Sequence, residues 1–146
     1  MNSLYPLKFT PILHDKIWGG SYLKDKLNKL DATSDKVGES FEISSVKGSV
    51  SVVSNGFLKG NTLEELVEVY MGDLVGDVVF EKYGTEFPLL IKFIDANDDL
   101  SIQVHPDDKY AKEKHNKMGK NEMWYIVDAK PGAYIIPGFS KDLSRE

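Results

Sequence analysis

Leu100-Ser101-Ile102-Gln103-Val104-His105 alternates apolar and polar side chains without a break, and Pro106 ends the alternation. An extended strand accounts for such a row, because successive side chains along a strand point to opposite faces. Leu100, Ile102 and Val104 then share a face that can enter a core, while Ser101, Gln103 and His105 share the other. Pro106 has no amide hydrogen to give a ladder, so the strand is expected to end there. Seventeen residues after His105, Glu122 heads a second strand-like run, Glu122-Met123-Trp124-Tyr125-Ile126-Val127. If the two runs are neighbours, an amide oxygen (Gln103), an imidazole (His105) and a carboxylate (Glu122) converge.

The remaining sequence predicts short strands separated by glycine and proline turns. Pro6 to Pro11 reads as an edge strand bounded by prolines, and Gly19-Gly20 as a turn where backbone packs closely. Leu23, Leu27 and Leu30 recur at helical spacing within Ser21 to Leu30. Gly38 to Ser44 and Ser49 to Val53 read as strands, the second closed by the Asn55-Gly56 turn signal. The clearest helix starts at Thr62, which with Glu65 forms a capping box ahead of an apolar stripe of Leu63, Leu66, Val67 and Tyr70. Phe87 to Ile94 is an apolar run long enough for a strand buried on both faces, interrupted by Lys92. Asp107 to Lys114 predicts a short helix with acids first and lysines later, as the helix dipole favours. A further helix start, capped by Ser140 or Asp142, is expected at the end, so the chain reads as a piece of a longer protein. Many short strands and few helices predict a β sandwich or barrel with helical insertions.

The candidate ligand set is hard to borderline in character. With no cysteine in the chain, thiolate sites and disulfides are excluded, and Zn²⁺, Mn²⁺ and Fe²⁺ all fit the residue types. Three ligands are one short of a tetrahedral set, so water or a later residue would complete it. The simpler alternative is that His105 hydrogen-bonds Asp107 or Glu122 and binds nothing. Lys92 invites two readings as well. Its stem can snorkel to the surface, or its ammonium faces a polar cavity beside a charged partner, because burying it unpaired costs several kcal/mol. Lys120, two residues before Glu122, is either a solvated loop lysine or placed to meet an ionisable substrate. His115 is expected to be solvated, and His14 has no comparable setting.

Five segments together resemble one family. They are Ile17-Trp18-Gly19-Gly20, Gly38 to Ser44, Pro88-Leu89-Leu90-Ile91-Lys92, Leu100 to Asp108, and Gly119-Lys120-Asn121-Glu122-Met123-Trp124-Tyr125. In this order they are similar to the type I mannose-6-phosphate isomerases, in particular the shorter bacterial branch of that cupin family. The likeness covers the N-terminal half of such an enzyme. It implies a mainly β, cupin-like jelly-roll barrel or sandwich with short helical insertions, cut short, with residues 1–146 as a single cupin-like domain. It also implies that Gln103, His105 and Glu122 are zinc ligands, and that the family's fourth ligand, a histidine, lies beyond Glu146 with its catalytic arginine. Lys120 is then the candidate catalytic residue, and Ser101 and Lys92 the candidate phosphate-binding residues. Asn121 and Phe41 are mild departures from the family pattern.

The implied reaction interconverts mannose 6-phosphate and fructose 6-phosphate by moving a proton between adjacent carbons through an enediolate-like intermediate. The alternatives are a non-catalytic cupin module, or inactive fragment, binding a metal or sugar phosphate, and a non-haem iron oxygenase. The last needs a second nearby histidine, which neither His14 nor His115 supplies at suitable spacing. At 146 residues and 41% hydrophobic content a real core is affordable, and a net charge of −5 without a basic stripe argues against nucleic acid. No leader-like or membrane-spanning stretch stands in the sequence, so a cytoplasmic protein is expected. An unfinished barrel would expose strand edges, which makes self-association an expectation too.

Overall fold

The structure is a computed structural model that describes residues 4–29 and 34–141. The chain divides into two compact units, Met1–Ser101 and Ile102–Glu146. In chain order the first holds β1 (Phe9–Thr10), β2 (Ile12–Gly20), α1 (Tyr22–Asp25), β3 (Val37–Ile43), β4 (Ser45–Val46), β5 (Ser49–Val50) and β6 (Val52–Val53). It continues with α2 (Leu63–Tyr70), α3 (Gly72–Val75), α4 (Asp77–Tyr83) and β7 (Ile91–Ile94). In the second unit lies α5 (Asp108–His115).

Three small antiparallel sheets, β1-β6, β2-β3-β7 and β4-β5, form the framework of the first unit. Among the described residues they do not close on one another into a barrel. The central sheet is dense where glycines let backbones approach. A Cβ on Gly19 would lie 2.3 Å from the Lys36 carbonyl oxygen and 2.6 Å from the Gly38 nitrogen. The paired glycines thus sit at the end of a long strand rather than in a free turn. Val37 and Phe41 of β3 are buried, as is Leu23 of α1. The predicted cap of α2 is present: Thr62 Oγ1 accepts from the Glu65 amide at 3.2 Å, and Glu65 Oε2 accepts from the Thr62 amide at 2.7 Å. Leu63, Leu66 and Val67 are the buried stripe behind it.

Three expectations are corrected. The apolar run from Phe87 is a strand only from Ile91, and it is not buried on both faces, since Ile91 and Phe93 are exposed. As the outer strand of β2-β3-β7 it pairs along one edge only. The expected strands at Ser101–His105 and Glu122–Val127 are not strands; both segments lack ladder pairing. Their apolar side chains are open, with Ile102 at 80%, Val104 at 78%, Met123 at 91% and Tyr125 at 84% exposure. A strand pair without a third strand or a covered apolar face is marginal in water, which is why alternation alone does not produce one here. The expected helix start at Asp142 lies outside the described residues. No helix among those described is long and apolar enough to cross a membrane.

Candidate functional site

In the second unit the chain runs without ladder pairing through Gln103 and His105 to Pro106, then enters α5. Asp107 is the N-cap, and its side chain accepts from the Tyr110 amide at 2.8 Å. Lys112, Lys114 and His115 occupy the last turn, and Asn116 ends the helix in the left-handed region at φ 50°. After the helix the backbone returns to its start. The Gly119 amide donates to Asp108 Oδ1 at 2.9 Å, and the Lys120 amide meets the Pro106 carbonyl at 3.4 Å.

That return gathers three of the predicted residues. Glu122 Oε2 lies 3.0 Å from His105 Nε2, and Glu122 Oε1 lies 2.7 Å from Lys120 Nζ. Lys120 Nζ is also 3.4 Å from His105 Nε2. The hydrogen bond from Lys120, helped by its charge and that of His105, outweighs partial burial and holds the Glu122 carboxyl below the usual carboxylate range. One imidazole nitrogen cannot donate to Glu122 and accept from Lys120 at the same moment. The three groups are therefore arranged around a positive charge rather than as a closed hydrogen-bond chain.

The pair brings together an imidazole nitrogen and a carboxylate, donor types that zinc accepts. The His105–Glu122 separation of 3.0 Å is that of an ordinary ion pair, with the Lys120 ammonium beside both groups. Gln103 is exposed two positions ahead of His105. Among the described residues no group of three His, Cys, Asp or Glu side chains is placed to hold a metal ion.

Lys92 and Ser101 belong to the first unit. Lys92 does meet a charged partner: its Nζ donates to Glu39 Oε1 at 2.5 Å, with the Phe41 ring centroid 5.5 Å away. Lys16 Nζ pairs with the other carboxylate oxygen at 2.9 Å. Burial opposes the charge on Glu39, but the hydrogen bonds and charges of Lys92 and Lys16 prevail, and its pKa is lowered. Glu39 carried no assigned role in the sequence reading. The signal was the strand alternation: Lys92 stands opposite Phe41 in the register, and Glu39 lies two residues along on the same face. Ser101 is exposed. His14, opposite Glu39 in the register, packs its ring 4.5 Å from that of Phe41.

Residues 6–134 match the family described as phosphomannose isomerase type I, catalytic domain. A mannose-6-phosphate isomerase from Streptococcus mutans is 44% identical over 133 residues, covering 91% of this chain and 40% of that protein. The mannose-6-phosphate isomerase ManA of Bacillus subtilis is 41% identical over 145 residues, 97% of this chain and 43% of its own length. The crystal structure of a Bacillus subtilis mannose 6-phosphate isomerase superposes with a TM-score of 0.76 at 42% identity, covering 87% of this chain and 39% of that one. The chain thus spans about two fifths of the length of these relatives.

Proposed function

The chain belongs to the type I phosphomannose isomerases, matching their catalytic domain, and from that membership we propose that it serves a metal-dependent aldose–ketose isomerase. The reaction is the interconversion of mannose 6-phosphate and fructose 6-phosphate. The observation that carries the reading is the His105–Glu122 pair at 3.0 Å with the Lys120 ammonium against it. Residues 1–146 are read as part of a single cupin-like jelly-roll domain, because the family match runs from residue 6 to residue 134.

Gln103, His105 and Glu122 would hold Zn²⁺. Bound there, the ion would polarise the sugar oxygens as a Lewis acid. Lys120 Nζ contacts the substrate or moves the proton between the two reacting carbons, a role in which a positioned group contributes about 10²–10⁴-fold. Glu122 holds Lys120 in place through the 2.7 Å contact between them. Lys92 and Ser101 take the phosphate, supplying binding energy remote from the reacting carbons that holds them in register. Sugar phosphates are metabolites of the cell interior, so the cytoplasm is the location that goes with this reading. The open side chains of Ile102, Val104, Met123 and Tyr125 favour self-association of the isolated chain.

A second reading is a module that binds zinc or a sugar phosphate without turnover, since Lys92 is already paired with Glu39 rather than open to a reacting substrate. Zinc analysis together with a coupled assay for fructose 6-phosphate, with and without chelator, separates the two. Zinc at about one ion per chain, with activity that chelation abolishes and zinc restores, supports the isomerase. Zinc without fructose 6-phosphate supports the module, and no zinc at any concentration overturns the site.

A further inference from the structure

We propose that Asp108 and Gly119 are positioning residues, a clasp that fixes where Lys120 and Glu122 stand relative to His105. The inference rests on the metal reading above but is carried by different residues. Two consecutive amides tie the returning segment to the helix start: that of Gly119 to Asp108 Oδ1 at 2.9 Å and that of Lys120 to the Pro106 carbonyl at 3.4 Å. The anchor is itself firm. Asp107 caps α5, and Ala111 is buried beneath it and accepts the Lys117 amide at 3.3 Å.

The close approach depends on position 119 having no side chain. A Cβ there would lie 2.6 Å from the Asp107 carbonyl carbon, 2.6 Å from the Asp108 nitrogen and 2.8 Å from the Pro106 oxygen. These are backbone atoms, which cannot rotate aside. Any side chain must therefore push the 119–122 segment away from the residues that follow His105.

Lys120 and Glu122 are two residues apart, and their side-chain ends meet at 2.7 Å on the same side of the segment. One fixed point immediately before them therefore sets the direction of both. Asp107 and Asp108 consequently divide the work. The first caps the helix; the second reaches across the eleven-residue excursion and closes it.

The test uses the whole chain, with Asp108→Ala, Asp108→Asn and Gly119→Ala. Zinc alone is titrated against a competing chromophoric chelator. In the zinc-free protein, Gly119 amide exchange and the nuclear Overhauser contact between the Lys120 and His105 side chains are followed. Asp108→Ala is expected to speed Gly119 exchange, lose the Lys120–His105 contact and weaken zinc binding about tenfold or more, the scale for losing an outer support of a ligand. Asp108→Asn keeps an oxygen acceptor while removing the charge, and is expected to restore all three. Gly119→Ala is expected to resemble Asp108→Ala, and should it not fold, the Asp108 pair decides. Zinc affinity and the Lys120–His105 contact both unchanged in Asp108→Ala would overturn the clasp and leave the metal reading standing. A wild-type chain that binds no zinc, yet loses the contact in Asp108→Ala and regains it in Asp108→Asn, would uphold the clasp and overturn the metal reading.

Discussion

Lys120 is a cation held by two groups that a metal would also use, which makes its removal informative. With Lys120→Ala, zinc is expected to stay bound, because the His105 and Glu122 donors are intact. Fructose 6-phosphate formation is expected to fall about 10²-fold or more. Zinc content and the coupled assay on the same preparation check this; unaltered turnover removes Lys120 from the chemistry. Glu39 makes a different prediction. Its pKa is lowered in the folded protein despite burial, because Lys92 and Lys16 donate to it. A carboxyl of this kind adds stability above its unfolded value of about 4.5, and that stability is lost as pH falls through the lower folded value. Urea unfolding as a function of pH is expected to show this acid loss in wild type and a flatter profile in Glu39→Gln. At neutral pH the variant is expected to be weaker by about 1–3 kcal/mol, since two partly buried ammonium groups lose their shared acceptor.

At the level of elements, α2 is held by its cap and its stripe. Thr62→Ala is expected to cost about 1 kcal/mol and Leu66→Ala about 2–4 kcal/mol, read as shifts of the urea midpoint at constant slope. The helix was legible because both signals are local: an oxygen three residues before a glutamate, and leucines at helical spacing. The strand at Val37–Ile43 was legible for the same reason. Glu122–Val127 was not, since alternation gives the faces of a strand but not the neighbour that would make it one. The site was legible in part. The sequence brings forward His105, Lys120 and Glu122, but what joins them is the return of the chain after α5 onto Asp108, a contact across eleven positions. The Glu39–Lys92 pair was half visible, as a lysine needing a partner, while the identity of that partner depends on register. Hydrogen exchange provides the check on elements. Amides of β3 and α2 are expected to be protected and those of 122–127 to exchange rapidly; protection across 122–127 would mean that the run has found a partner strand.

For the whole molecule, the framework is β and its sheets are small and separate. Met123, Tyr125, Ile102 and Val104 face water, so sedimentation is expected to show mass increasing with concentration for the isolated chain. Met123→Lys with Tyr125→Lys is expected to reduce that association, and a monomer at all concentrations in wild type would refute it. The charge map adds a consequence for arrival of a ligand. The formal charge is −5 overall, yet around Glu39 two lysines face one carboxylate, leaving a local excess of one positive charge. Beyond the screening length of about 8 Å at physiological salt, the net negative charge of the protein is largely hidden from an approaching anion. Inside that distance the pair of ammonium groups takes over. Added salt is therefore expected to loosen any anion held beside these two lysines, which a titration of inorganic phosphate at rising ionic strength would read.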